Sequence, residues 1–238
     1  MSNKSSEFKY FSNNDLDRIT DNYMSPIFDK IFKKYSFNNI LDYGCGNGTF
    51  GIYLSQNTQC KIIGIDGSKY ALEQASKIGY NETYLIEDFS TIKVPLQDNT
   101  VDFVILKDVL EHLLDPHFVL NEAYRVCASK GLLLLHVPNH FPLIYRLKFL
   151  FTNDIDTQNY FPDSNDWNFP HIRFFKYDSI VEKAKKIGFN ILEDYSYYFT
   201  AYLPKTSKVP VVKHFQRYLA QKYPNHFAIG FTLLCQKR

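Results

Sequence analysis

Three glycines spaced two residues apart follow directly after a short apolar run. The run covers residues 39–43, and glycine stands at positions 44, 46 and 48. Glycine lets a backbone turn sharply and approach a ligand with no Cβ in the way. Residues 50–56 then have the apolar pattern of a helix. The order of strand, glycine-rich turn and helix constrains the chain to an α/β fold with a ligand-binding turn.

The alternation of strand and helix continues along the chain. Apolar, β-branched runs predict six further strands, at 61–66, 82–86, 101–106, 131–137, 190–198 and 227–235. Helical patterns separate them at 68–78, after Pro116 and at 177–187. Strands that alternate with helices imply right-handed crossovers and a parallel sheet, and the last two strands suggest an antiparallel pair at the sheet edge. We therefore predict a Rossmann-like, doubly wound α/β fold with seven strands, mostly parallel with an antiparallel edge strand.

The length of 238 residues suits one α/β domain, so we predict a single domain over 1–238. Between 139 and 173 the periodicity fades into Pro, Asn, Asp and aromatic residues. This stretch is long for a passive connection, so we expect an inserted substrate lid. Together with the stretch 200–222, which contains four separate lysines and one arginine, it is where specificity for the substrate is expected to reside.

Charge and cysteine usage narrow the classes of partner. The chain has 27 Lys and Arg against 25 Asp and Glu, and its net charge of +2 makes nucleic acid an unlikely main partner. The four cysteines lack CxxC spacing, which indicates neither a disulfide framework nor a zinc site. No apolar run reaches the roughly 18 residues needed to span a bilayer. We expect a cytoplasmic protein without a membrane span, and the sequence leaves its oligomeric state open.

An acid at the end of the second predicted strand adds to the glycine turn. Asp66 stands where a carboxylate can accept both hydroxyls of a ribose. The dinucleotide fingerprint GxGxxG requires glycine at its third position, where this chain has Thr49. The turn therefore fits GxGxG, which counts against an NAD-dependent oxidoreductase as the alternative class.

With these residues the chain resembles the class I S-adenosylmethionine (SAM)-dependent methyltransferases. Within that class it is similar to the methyltransferases of types 11 and 23. The first motif of that family is matched by residues 42–48, its ribose acid by Asp66, and its adenine-edge pair by Asp88 and Phe89. The resemblance implies SAM as the cofactor, with the glycine turn facing the methionine part and Asp88 meeting the adenine amino group. The cofactor residues it implies are Asp42, Tyr43, Gly44, Gly46, Asp66, Gly67, Asp88, Phe89 and Lys107.

Two acids and a histidine follow the fourth predicted strand, where open α/β sheets bind ligands. On a helical turn Asp108, Glu111 and His112 share one face, so two carboxylates and an imidazole can converge. Two oxygens with one imidazole suit Mg²⁺ or Mn²⁺. An ion there would polarise a substrate hydroxyl or phosphate oxygen.

The same segment resembles the metal-dependent branch of the superfamily. Ubiquinone-pathway O-methyltransferases and small-RNA 2′-O-methyltransferases carry acid-x-x-Glu-His, although the first acid here is Asp108 rather than glutamate. The RNA enzymes add a distant histidine, for which His171 is the matching candidate. The resemblance thus implies a metal site of Asp108, Glu111, His112 and His171, and O-methylation of a small polar acceptor such as a sugar, a phosphorylated or nucleotide-linked metabolite, or a quinone precursor.

Two alternatives remain open at this point. His136 and His140 stand at the end of the fifth predicted strand, where either would serve a metal-independent N- or O-methyltransferase as a general base. The catalytic candidates are thus His112, His136, His140 and His171. The chain also resembles the MetW group of methionine biosynthesis, which implies a SAM-binding partner protein without turnover of its own.

Overall fold

The structure is a computed structural model that describes residues 24–152, 171–203 and 209–238. These residues form two compact units. The first contains the described residues up to Ile105 together with His117–Gly131, and the second contains Leu106–Pro116 and the described residues from Leu132 onward. That 1–238 is one domain stays a prediction.

The first unit alternates strands and helices as the sequence predicts. Its elements are α1 (Ser25–Lys34), β1 (Asn39–Tyr43), α2 (Thr49–Asn57), β2 (Lys61–Asp66), α3 (Lys69–Ala75), β3 (Glu82–Leu85), most of β4 (Val101–Lys107) and α4 (Pro116–Val126). β2 pairs in parallel with β1 on one side and with β3 on the other. The side chain of Ser68 caps α3 by accepting a hydrogen bond from the backbone nitrogen of Ala71 at 3.2 Å.

Helix α1 has no counterpart among the sequence predictions. Pro26 stands in its first turn, and its buried face consists of Ile27, Phe28 and Ile31. The ring of Phe28 lies 4.7 Å from that of Phe50 and 6.2 Å from that of Phe103, centroid to centroid. This aromatic contact fixes α1 against α2 and β4 within the first unit.

The second unit carries the other strands. After the end of β4 come a 3₁₀ turn (Leu110–His112), β5 (Cys127–Pro138, of which the residues from Leu132 belong here), α5 (Leu143–Thr152), α6 (Tyr177–Ile187), β6 (Phe189–Asp194), a 3₁₀ turn (Ser196–Phe199), α7 (Pro210–Lys222), α8 (Pro224–Phe227) and β7 (Gly230–Lys237). β7 runs antiparallel to both β5 and β6. No helix in the three described ranges is both long enough and apolar enough to cross a bilayer.

The strands make one seven-stranded sheet in the order β3-β2-β1-β4-β5-β7-β6. This order confirms the seven-stranded α/β fold and the antiparallel pairing of the last two strands. Within this pair β7 takes the inner place, antiparallel to the neighbours on both sides, and β6 occupies the edge of the sheet. Burial gives the reason: seven of the eight residues of β7 are buried, whereas β6 has one buried residue, Phe189.

Three predicted strands end or begin elsewhere, and one of them is β5, which begins at Cys127 instead of residue 131. The strand predicted at 190–198 ends at Asp194, whose side chain accepts a hydrogen bond from the nitrogen of Ser196 at 2.8 Å and so starts a 3₁₀ turn. The strand predicted at 227–235 begins only at Gly230, because Pro224 opens a short helix before it. In the predicted lid, 143–152 is helical and 153–170 lies outside the described residues, so the lid stays a prediction.

Candidate functional site

All three glycines of the turn after β1 have left-handed backbone angles. φ is 84° at Gly44, 53° at Gly46 and 86° at Gly48, which only glycine adopts without strain. The nitrogens of Gly44 and Cys45 both donate to the carbonyl oxygen of Ile65, at 2.8 and 2.9 Å. The turn is thereby fastened to the end of β2.

Asp66 joins the glycine turn to the start of α3. Its Oδ2 accepts a hydrogen bond from the nitrogen of Gly46 and its Oδ1 accepts one from Ser68, each at 2.8 Å. Burial raises the pKa of Asp66, while the hydrogen bonds from Ser68, Gly46 and Gly67 act in the opposite direction. A carboxylate has about four acceptor positions, so Asp66 keeps capacity for a ligand hydroxyl.

Asp42 is buried and has a partner that sequence reasoning missed. Its Oδ2 accepts a 2.5 Å hydrogen bond from the hydroxyl of Tyr80. The Tyr80 ring fills space that glycines leave open, since a Cβ at Gly51 would come within 2.1 Å of it and one at Gly64 within 2.8 Å. Burial and the charge of Asp42 raise the pKa of Tyr80, which keeps the hydroxyl a donor. In the sequence, glycine at positions 51 and 64 was the signal that could have revealed the packing of Tyr80.

The first unit also contains the predicted adenine-edge pair. Asp88 is exposed, and its two oxygens accept hydrogen bonds from the nitrogen of Ser90 at 2.8 Å and the hydroxyl of Thr91 at 2.7 Å. The hydrogen bond from Thr91, followed by that from Ser90, lowers the pKa of Asp88. The ring of Phe89 meets that of the buried Tyr43 nearly edge-on, with centroids 5.1 Å apart. Of the predicted cofactor residues, Lys107 alone belongs to the second unit. The first unit contains the other eight, which are Asp42, Tyr43, Gly44, Gly46, Asp66, Gly67, Asp88 and Phe89.

The second unit buries a carboxylate to which no described residue offers a hydrogen bond. Glu111 lies in the 3₁₀ turn after β4 with no exposed surface, and neither carboxylate oxygen has a partner within the described part of the chain. The Nε2 atom of His112 is 3.9 Å from Oε1, which is too far for a hydrogen bond. Burial and the charge of Asp108 raise the pKa of Glu111 well above its usual range. A buried carboxyl without a hydrogen-bond partner is costly, so Glu111 is a candidate ligand for a cation.

The predicted distant histidine lies beside this carboxylate. Three residues each offer one potential ligand atom, and these atoms lie within 4.8 Å of one another: Glu111, His112 and His171. The nitrogens of Ile172 and Arg173 both donate to the carbonyl oxygen of Glu111, at 2.8 and 3.0 Å. These backbone bonds hold the segment that begins at His171 against the turn that carries Glu111 and His112.

A third histidine completes the cluster. The Nε2 atom of His140 is 2.7 Å from the Nδ1 atom of His171, so one ring donates to the other. Burial, with a smaller effect of His112, lowers the pKa of His140 to about 4 and that of His171 to about 3. Both imidazoles are therefore neutral near pH 7, which is the form that binds a metal ion or accepts a proton.

Asp108 and His136 form a separate arrangement in the same unit. The Asp108 carboxylate pairs with Nζ of Lys107 at 2.7 Å and with Nε2 of His136 at 3.3 Å, while Nδ1 of His136 is 2.7 Å from the hydroxyl of Thr232. Burial lowers the pKa of His136 to about 4. Asp108 has a left-handed φ of 54°, so it does not stand on one helical turn with Glu111 and His112, as the sequence spacing had suggested. Asp108 is therefore outside the group of three ligand atoms.

Comparison with known proteins agrees with the fold and the glycine turn. Residues 41–135 match the family model described as methyltransferase domain. The sterol 24-C-methyltransferase of Schizosaccharomyces pombe is 22% identical over 174 residues, which cover 66% of this chain and 41% of that protein. A Mycolicibacterium smegmatis protein named as a probable SAM-dependent methyltransferase is 27% identical over 116 residues, which cover 48% of this chain and 43% of that protein. The alignments thus span less than half the length of these relatives.

A solved structure extends the likeness over almost the whole chain. A SAM-dependent methyltransferase of Thermotoga maritima superposes with a TM-score of 0.62 at 17% identity, covering 97% of this chain and 98% of that chain. The sheet order and the glycine turn define a Rossmann-like methyltransferase fold. Residues 41–135 thus match a methyltransferase domain, and over the rest of the chain the likeness to SAM-dependent methyltransferases is one of fold.

Proposed function

We propose that this protein transfers the methyl group of SAM to a hydroxyl of a small polar acceptor, assisted by a divalent cation that Glu111, His112 and His171 hold. The observation that carries the proposal is the buried Glu111 carboxylate, which has no hydrogen-bond partner in the described ranges and lies beside two imidazoles. An acceptor hydroxyl must lose its proton during methylation, and a cation lowers the pKa of a hydroxyl bound to it. A sugar, a phosphorylated metabolite or a quinone precursor meets this description.

The residues of the first unit fit the cofactor. SAM supplies a methyl group already activated by the sulfonium. The left-handed turn at Gly44, Gly46 and Gly48 lets the backbone approach the methionine part with no Cβ in the way, and Asp66 accepts from the ribose hydroxyls. Asp88 and Phe89 would receive the edge and the face of the adenine ring.

The candidate ligands in the second unit fit a divalent cation, but they allow a narrower choice of cation than the ligands predicted from the sequence. Of the two carboxylates and two imidazoles of the prediction, one carboxylate and both imidazoles remain, because Asp108 is paired with Lys107 and His136. Imidazole ligands favour Mn²⁺ over Mg²⁺, which prefers oxygen. The hydrogen bond between His140 and His171 would fix the ring of His171 and so orient its other nitrogen.

Calorimetric titration of the metal-stripped protein tests both halves of the proposal. We expect micromolar binding of S-adenosylhomocysteine, the demethylated product of SAM, and a loss of at least about tenfold in Asp66→Ala. We expect Mn²⁺ uptake by the unaltered protein that Glu111→Gln and His171→Ala abolish. His117→Ala, which changes an exposed histidine of α4, is the matched control and should bind Mn²⁺ as before. Absence of product binding under all conditions would refute the methyltransferase function.

The pair of His140 and His171 favours a second candidate function. Two neutral imidazoles joined at 2.7 Å can take a proton from an acceptor N–H or O–H group without a cation. If the protein binds S-adenosylhomocysteine and excess chelator leaves its turnover unchanged, the metal-independent reaction is favoured. Turnover that chelator abolishes and Mn²⁺ restores would favour the metal-assisted one.

A further inference from the structure

We propose that helices α5 and α7 together form a face, the α5–α7 face, by which this protein docks on the surface of an anionic phospholipid bilayer. Both helices belong to the second unit, and both pack against α8. The proposal goes beyond the methyl-transfer function and does not depend on it.

Helix α7 turns apolar side chains outward. Val211, Phe215 and Tyr218 are spaced at i, i+4 and i+7, so they form one stripe along the helix, and they are 80%, 59% and 54% exposed. The inner side of the helix contains the buried Gln216 and Ala220. The larger apolar groups therefore face away from the core, which is the reverse of an ordinary surface helix.

Helix α5 repeats this pattern. Leu143, Leu147, Leu150 and Phe151 are spaced at i, i+4, i+7 and i+8, and all four are exposed, Phe151 by 80%. No residue of α5 is buried. Because α5 and α7 both pack against the same short helix, α8, the two stripes stand on neighbouring helices of the second unit.

The charges of the two helices are of one sign. Arg146 and Lys148 stand on α5, Lys213, Arg217 and Lys222 stand on α7, and neither helix contains an acid. The whole chain has a net charge of only +2, so these two helices carry a local excess of positive charge, of which the Arg217 guanidinium packs over the rings of Tyr197 and Tyr198. The Nζ atom of Lys222 lies 5.3 Å from the centre of the Tyr223 ring, which sets a cation beside an aromatic side chain. The charge requires an anionic partner, and the stripes require an apolar one.

A bilayer with anionic headgroups satisfies both requirements. Helices with an apolar face and flanking Lys or Arg lie in the plane of the interface, with their apolar side chains among the acyl chains and their cations among the phosphates. A second copy of the chain would place five cations against five, which opposes a symmetric dimer through this face. A nucleic acid would match the cations but would leave Val211 and Leu150 against phosphates.

Vesicle flotation of the full chain tests the proposal. The probes are vesicles of phosphatidylcholine alone and of phosphatidylcholine with about one third phosphatidylglycerol. We expect the protein to float with the anionic vesicles and to bind the neutral ones at least about tenfold more weakly, since each Lys or Arg near an anionic surface adds to binding. High salt should weaken the anionic binding because it screens the charges.

Two pairs of variants separate the stripes from the charges. Phe215→Ser with Tyr218→Ser, and Lys213→Gln with Lys222→Gln, should each lower binding to anionic vesicles by about tenfold. The controls are Leu192→Ser, which removes an exposed leucine of β6, and Lys185→Gln with Lys186→Gln, which removes two exposed lysines of α6. Both should bind as the unaltered protein does. The affected side chains are exposed, and circular dichroism checks that each variant is folded.

The remaining outcomes contradict the proposal. Equal binding to neutral and anionic vesicles, or binding that the α7 variants leave unchanged, would show that this face does not select an anionic bilayer. Absence of vesicle binding together with a concentration-dependent dimer in light scattering, lost in Phe215→Ser with Tyr218→Ser, would assign the face to a second copy of the chain. Binding to a DNA or RNA oligomer in place of vesicles would assign it to nucleic acid.

Discussion

The Nε2 atom of His140 lies 2.7 Å from the Nδ1 atom of His171, although 31 residues separate the two histidines. The contact exists because the backbone that follows His171 is bonded to the carbonyl oxygen of Glu111. It restricts the rotation of the His171 ring. His140 is thereby a positioning residue for His171 in the proposed reaction.

This relationship predicts a specific loss of metal affinity. His140→Phe should weaken Mn²⁺ binding by about tenfold or more, because the partner that orients His171 is gone. Calorimetric titration with Mn²⁺ measures the change, and His226→Ala, which removes an exposed histidine of α8, should leave the affinity as it was. Binding of S-adenosylhomocysteine should be unchanged in both variants. If His140→Phe binds Mn²⁺ as tightly as the unaltered protein does, His140 does not position His171.

A second prediction concerns the glycine turn. Gly48 has a φ of 86°, and a Cβ there would lie 2.7 Å from the backbone Cα of Ala75. Gly48→Ala should therefore lower the free energy of unfolding by about 2 kcal/mol or more, from backbone strain together with overpacking. Urea denaturation measures this value. At Gly67 a Cβ would meet its nearest atom at 3.4 Å with no left-handed φ, so Gly67→Ala is the matched control and should change stability by less than about 1 kcal/mol.

A third prediction concerns the ion pairs of Arg125. Its guanidinium donates to the buried Glu122, to Asp98 and to the carbonyl oxygens of Val94 and Leu96, at 2.7–2.9 Å. Arg125→Met should lower the free energy of unfolding by about 3 kcal/mol, because Glu122 would be left buried without its cation. The double variant with Glu122→Met should recover part of that loss. Urea denaturation of the three variants provides the comparison, and no recovery in the double variant would show that Glu122 is not the group left uncompensated.

Much of the fold could be predicted from sequence, because it depends on local patterns. The strand, glycine turn and helix at 39–57, the cap at Ser68 and the helix at 177–187 all follow from nearby residues. The strand order at the far end could not be predicted in the same way. β7 takes an inner place because it can be buried on both faces, and that preference is settled between strands distant in sequence.

The candidate site was predictable in its residues but not in its pairings. The Glu-His spacing and a distant histidine are visible in sequence, and the structure brings Glu111, His112 and His171 together. The left-handed φ of Asp108 removes that residue from the group, and no sequence pattern signals such an angle at an aspartate. The pairing of His140 with His171 depends on the backbone bonds to Glu111, which spacing alone does not reveal.

The last prediction is a pH dependence of stability that arises from His136. This imidazole is buried beside Asp108, Lys107 and Thr232, and burial lowers its pKa to about 4, against about 6.5 in an unfolded chain. As the pH falls below about 6.5 the unfolded chain takes up a proton that the folded protein does not, so the stability decreases until the pH reaches about 4.

The slope due to His136 in this window should approach about 1.4 kcal/mol per pH unit. Urea denaturation between pH 7 and pH 4 measures it. His136→Gln should be less stable at pH 7, because the hydrogen bond with Thr232 is disturbed. The stability of this variant should also depend less steeply on pH, with a slope smaller by about 1.4 kcal/mol per pH unit. His117→Gln, which changes an exposed histidine of α4, is the control and should keep the full slope. An unchanged slope in His136→Gln would mean that His136 takes up its proton as readily in the folded protein as in the unfolded chain.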